Sequence, residues 1–147
     1  MTKKKTKREA LPSLKSLHNK LWKLTKEEVR FLYPWNKCYI CGSVITKKKK
    51  SHTGHLFKIG SLPLQLKYDL RLLRPCCVTC NLFKNGNESW YMIKMIKEVG
   101  LPEVLNLVDD IEKTVDLEGT VARRDWYLQA INDLKLPRVT PLTKPKI

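Results

Sequence analysis

The sequence has no apolar run approaching the roughly 18 residues that a membrane-spanning helix requires, so no such helix is expected. The basic start, Met1 to Arg8, is not followed by an apolar segment, so no secretory signal is expected either. These absences point to a soluble protein working in a reducing cytoplasm. Glycine is sparse, with 6 residues, and no glycine-rich loop leads into a lysine to cradle a nucleotide. There is no H-E-x-x-H, which sets aside zinc proteases. There is no H-x-E, and Pro75 is followed by Cys76-Cys-Val-Thr-Cys80, one residue longer than the zinc-deaminase pattern. Acidic residues are scarce in the first part of the chain. Residues 1–87 hold 4 acidic and 20 basic side chains, whereas residues 88–147 hold 10 and 9.

What is present is a chain of 147 residues, 42% hydrophobic and 29% charged, with a formal charge of +15. That balance excludes a wholly disordered chain and fits one domain. All the excess positive charge lies in the half that carries every Cys and every His. A field of that sign attracts polyanions, with nucleic acid the first candidate and an anionic membrane surface the second. Lys3, Lys4, Lys5, Lys7 and Arg8 also suit a solubilising arm. The run Lys47, Lys48, Lys49 and Lys50 is harder to read that way, because it lies in a loop between two metal-site segments and can face a ligand.

The periodicity predicts an α+β chain: a small metal-stapled module packed among helices. Residues 1–12 read as a flexible basic arm and 13–137 as one domain. Within it, 13–35 is an N-terminal helix, with Leu14, Leu17, Leu21, Leu24 and Val29 on one stripe, Ser13 as cap and Pro34 as stop. His18 sits on that helix as an inert residue, and Trp22 and Trp35 read as packing residues. Residues 36–88 hold the Cys pairs and short strand-like pieces, Tyr39–Ile40 and His55–Ile59, followed by a helix from Thr79 that Gly86 ends. Residues 89–137 are helical. The expected stripes are Trp90, Ile93, Met95, Ile96 and Val99; Val104, Leu105, Leu107, Val108 and Ile111; and Trp126, Tyr127, Ala130, Ile131 and Leu134. Residues 138–147 form a basic tail.

Five cysteines in a reducing compartment argue for metal rather than disulfides. Cys38-Tyr-Ile-Cys41 and Cys77-Val-Thr-Cys80 are both C-x-x-C, and two such knuckles can place four thiolates at the corners of a tetrahedron. That is the geometry of a closed structural Zn²⁺ site, one per chain, with no open position for water. Cys76 is left over as a spare thiol. A simple zinc ribbon separates its knuckles by about 15–20 residues, and this chain has more, so something is inserted. The insertion contains Ser51-His52-Thr53-Gly54-His55, and Asn81, Lys84 and Gly86-Asn87 follow the second knuckle directly.

That arrangement resembles the NinG (Rap) family of phage recombination proteins and, more widely, the HNH or His-Me finger nucleases. The resemblance covers about residues 36–108. It rests on Gly54-His55, Tyr68, the block Cys77-Val-Thr-Cys-Asn81-Leu-Phe-Lys84-Asn-Gly86-Asn87, and the helix with Ile96, Val99-Gly100-Leu101 and Glu103-Val104. The resemblance implies a ββα-metal fold, Mg²⁺-dependent DNA cleavage and a preference for branched recombination intermediates such as Holliday junctions and flaps. Two positions depart from the family pattern. His52 stands where an Asp is usual three residues before the base His. Leu72 stands where an Asn is usual five residues before the third zinc Cys, and the nearby Asp69 is a candidate substitute.

Phosphodiester hydrolysis needs a base for water, neutralisation of the phosphate and a stabilised leaving oxygen. On the family pattern His55 is the general base. Asn81 offers an amide oxygen to a hard catalytic cation, Mg²⁺ or Mn²⁺, and His52 is a second ligand or an orienting group, its nitrogen favouring Mn²⁺. Lys84, Arg71 and Arg74 are candidate phosphate contacts, although either arginine could instead pair with Asp69 or the acidic C-terminal helices. Asn81 could merely cap a helix, and Asn87 could be a turn residue. The expected partner is DNA, and a homodimer would suit paired cuts. The competing expectation is a non-catalytic zinc module that binds DNA or RNA within a recombination or replication complex.

Overall fold

The computed structural model describes residues 10–46 and 51–135, so Lys47–Lys50, most of the basic arm and the basic tail lie outside the described residues. Among the described residues four α-helices surround a two-stranded sheet, and the expected α+β class is met. Helix α1, Leu14–Leu32, starts where Ser13 accepts a hydrogen bond from the Ser16 amide and stops just before Pro34. Its buried stripe is Leu17, Leu21, Thr25 and Val29. The polar member is satisfied, because the Thr25 hydroxyl donates to the Leu21 carbonyl at 2.8 Å.

Strand β1, His52–His55, pairs antiparallel with β2, Leu73–Cys76, in the register His52 to Cys76 and His55 to Leu73. The strand expected over His55–Ile59 thus ends at His55, and Ile59–Ser61 is a 3-10 turn. Tyr39–Ile40 is the turn of the first knuckle, flanked only by a single bridge between Lys37 and Val44. The 17 residues between the strands run through short 3-10 turns and drop Leu56, Leu62, Leu66 and Leu72 into the core. After β2 a helical element starts at Thr79 as expected, but it is a five-residue π-helical turn, Thr79–Phe83, that ends before Gly86.

Helices α2, Glu88–Val99, and α3, Leu101–Lys113, pack against each other and close over the sheet, while α4, Thr120–Leu134, runs along α1. The expected stripe on α2 is rotated. Tyr91 and Met95 are buried, and Trp90, Ile93 and Val99 face outward. Tyr91 determines that orientation: its hydroxyl sits between the carbonyls of Leu72 and Gly54, at 3.1 and 3.2 Å, so the ring enters the core with its polar end satisfied. On α4, Tyr127 and Ile131 enter a second cluster with Leu17, Leu21, Leu64 and Tyr68. There Tyr68 bonds to both His18 and Tyr127, so His18 is a structural link between α1 and the inserted loop.

Candidate active site and four-cysteine centre

The sulfurs of Cys38, Cys41, Cys77 and Cys80 all lie within 4.8 Å of one another. Four thiolates about 2.3 Å from a central zinc would be about 3.8 Å apart, and Cys41 Sγ and Cys77 Sγ are separated by 3.8 Å. The four side chains thus form a centre that could hold a zinc ion. Its supports are local. The Gly42 amide donates to the Cys38 carbonyl at 2.9 Å, closing the first knuckle, and the Cys80 amide donates to Cys77 Sγ at 3.4 Å in the second. Asn87, in the left-handed region at φ 49°, turns its amide toward Cys80 Sγ at 3.8 Å. It therefore supports a cysteine as well as making a turn.

Cys76 stays outside the cluster. It is fully buried, and its hydrogen bond to Cys38, together with burial, pushes its thiol well above the usual range. Its sulfur also explains Gly54: a Cβ at that position would lie 2.6 Å from Cys76 Sγ, inside contact distance.

One residue beyond Gly54, His55 is held from two sides. Its Nε2 lies 2.7 Å from the Lys67 carbonyl, and its ring stacks on Trp22 with centroids 5.5 Å apart and planes 12° from parallel. A carbonyl only accepts, so in the neutral ring Nε2 carries the proton and Nδ1 holds the lone pair. Burial, and then the nearby Lys67 charge, lower the pKa from its ordinary 6.5, against the Lys67 carbonyl, which raises it. Neutral His55 with an unprotonated Nδ1 is therefore the dominant form at pH 7.

Asn81 sits on the π-helical turn directly after Cys80, and it joins two hollows. With His55, Lys58, Asn85 and Glu88 it lines a recess of about 150 Å³. With Trp22, Lys26, Arg30, Ser51, His52 and Thr53 it lines a neighbouring cleft of about 470 Å³. Its amide nitrogen lies 3.0 Å from His52 Nδ1. The residues expected to form the site, His52, His55 and Asn81, are therefore together. His52 and Asn81 touch, and His55 and Asn81 share the small recess.

The expected phosphate contacts divide differently. Lys84 is exposed and borders a groove beside the knuckles that also includes His52. Arg74 does not qualify. It is 3% exposed, paired with Glu98 at 3.3 Å, stacked between the rings of Tyr33 and Tyr39, and bonded to three backbone carbonyls. Arg71 is held by two carboxylates, Asp69 at 2.7 Å and Asp110 at 2.8 Å, so it is neutralised where it stands. Asp69 also caps the turn before β2, accepting from the Arg71 amide at 2.9 Å, which steadies the loop beside the buried Leu72. Lys47–Lys50 lie outside the described residues. Trp22, Lys26 and Arg30 at the site were not singled out as functional residues from sequence. Their signal is the four-residue spacing that places all three on one face of α1.

A family model described as Bacteriophage Lambda NinG protein matches residues 1–136. Among curated proteins the chain is similar to Protein ninG of Salmonella phage P22, at 28% identity over 67% of this chain and 47% of that protein. It is similar to Protein ninG of Escherichia phage 933W, at 29% over 69% of this chain and 49% of that one. For Protein ninG of Escherichia phage lambda the identity is 28%, over 69% and 48%. The chain thus spans about half the length of the curated relatives it matches. No solved structure matches it.

Proposed function

The chain belongs to the NinG family of bacteriophage lambda-like phages, and from that premise we propose that it is a metal-dependent DNA endonuclease acting on branched recombination intermediates. The observation that carries the proposal is the state of His55: a half-buried imidazole whose Nε2 is committed to the Lys67 carbonyl, which leaves Nδ1 as the proton acceptor of a ring that lines one recess with Asn81.

His52 and Asn81 fit the catalytic cation. His52 Nδ1 and the Asn81 side-chain amide are hydrogen-bonded neighbours at 3.0 Å, so an imidazole nitrogen and an amide oxygen would both be within reach of one ion. Rotating the amide by half a turn offers Oδ1 in place of the nitrogen. When bound, a divalent ion supplies Lewis acidity to the phosphate and the leaving oxygen. The imidazole donor favours Mn²⁺ over Mg²⁺. The residues do the rest. His55 takes a proton from water at Nδ1, and Trp22 and the Lys67 carbonyl keep its ring from turning. Cys38, Cys41, Cys77 and Cys80 would hold a zinc ion that staples the two knuckles, and four thiolates would leave it no open position for substrate.

A second reading is a zinc-stapled module that binds DNA without cutting it. It is favoured by one observation: the Asn81 side chain and His52 Nδ1 are already hydrogen-bonded to each other. The two readings part in a cleavage assay. Purified protein with Mg²⁺ or Mn²⁺ is expected to cut flapped or four-way DNA faster than linear duplex, and His55→Ala to keep fold and DNA affinity while losing cleavage. Failure of the wild type to cut any of these DNAs with either ion would favour the binding module.

A further inference from the structure

Helix α1 carries a second stripe beside its buried one. Trp22, Lys26 and Arg30 recur every four residues, each step rising about 6 Å along the axis. Trp22 stacks on His55, and Lys26 and Arg30 line the same 470 Å³ cleft as His52 and Asn81. The stripe therefore starts at the candidate base and leads away from it along the cleft.

Both cations are free of partners among the described residues. Neither forms an ion pair or a side-chain hydrogen bond there, in contrast to Arg71 and Arg74, which are fully committed to carboxylates. Two like charges four residues apart repel and disfavour the helix unless an anion lies between them. Among the described residues the cleft they border is lined otherwise by indole, hydroxyl, imidazole and amide groups, with no carboxylate. An anion with several oxygens matches that chemistry.

We infer that Lys26 and Arg30 grip the phosphates of one DNA strand on one side of the scissile bond. The N-terminal helix is then part of the substrate site as well as the core. The inference rests on the nuclease reading of His55 and Asn81, and it replaces Arg71 and Arg74 as the arginine contribution to phosphate binding.

The test is equilibrium binding of a labelled flapped DNA to the full chain without divalent ion, measured across salt concentrations. Lys26→Ala with Arg30→Ala should make the negative slope of log affinity against log salt shallower by about 2, with roughly tenfold or greater weakening at 0.1 M salt. The matched control, Lys20→Ala with Lys23→Ala, removes the same charge from the same helix at exposed positions and should stay near the wild-type slope. Arg30→Ala alone, at an exposed position, should make the slope shallower by about 1 and keeps the test open if the double variant melts early. Equal slopes for the two double variants would overturn the inference. If the wild type binds and cuts DNA while the slopes are equal, this inference alone falls; if the wild type binds no DNA, the nuclease reading falls with it.

Discussion

His55 is placed by small things around it: a missing side chain at Gly54, a carbonyl at Lys67 and a ring at Trp22. Gly54 is where β1 passes over Cys76, and a methyl there would meet sulfur at 2.6 Å. Gly54→Ala should therefore destabilise the fold by about 1–3 kcal/mol, the usual cost of overpacking. Adding Cys76→Ala should recover much of it, as thermal melts of the single and double variants would record. The histidines also make stability depend on pH. His55 and His18 both have pKa values lowered from 6.5, first by burial and then by the Lys67 charge. The folded chain thus binds fewer protons than the unfolded chain just below that pH. Their contribution is complete above pH 6.5 and is lost as pH falls through the lowered values. Replacing His18 with Gln should flatten that acid-side loss in melting curves between pH 5 and 7. At this scale the sequence was informative about residues that carry chemistry in a motif. His52, His55, Asn81 and the four cysteines do come together. Trp22 reads as a packing residue and does lie against two of the core clusters; its stack on His55 has no signal in the sequence.

Among the elements, α1 was readable in full, because a capping Ser13, a regular apolar stripe and Pro34 all act within the helix itself. Strand β2 was not. Leu73-Arg-Pro-Cys76 is buried at every position, so it lacks the alternation that marks a half-exposed strand, and its proline reads as a break. The face of α2 was misread for a related reason. Trp90 and Ile93 look like core residues, but the aromatic residue that docks is Tyr91, selected by two carbonyls distant in sequence. Arg74 shows the same effect in a charge. A strand arginine suggests a phosphate contact, whereas here it pins β2 to α2 through Glu98 and two tyrosine rings. Removing it would strand a half-buried carboxylate. Arg74→Ala should thus cost about 3–5 kcal/mol in denaturant unfolding and leave the salt dependence of DNA binding nearly unchanged in whatever fraction stays folded.

For the molecule as a whole, the division of charge and the division of labour coincide. The basic part carries the knuckles, the sheet and the cleft, and the balanced part supplies α2, α3 and α4 as packing and as counter-ions for Arg71 and Arg74. This much was legible, since net charge and cysteine spacing need no knowledge of contacts. Which basic residues stay free was not, because pairing depends on the folded arrangement. The knuckles tie residues 36–46 to the segment after β2. Stripping metal with a strong chelator should therefore lower the melting temperature sharply and abolish any cutting, and restoring zinc before Mg²⁺ or Mn²⁺ should recover both. The most direct measurement of the central claim is the single-turnover rate at which wild type and His55→Ala cut a flapped DNA with Mn²⁺ between pH 5 and 8. Wild type should cut with an acid limb below pH 6.5, and His55→Ala should be slower by about 10²–10⁴-fold and without that limb. Equal rates, or the same pH profile in both proteins, would contradict it.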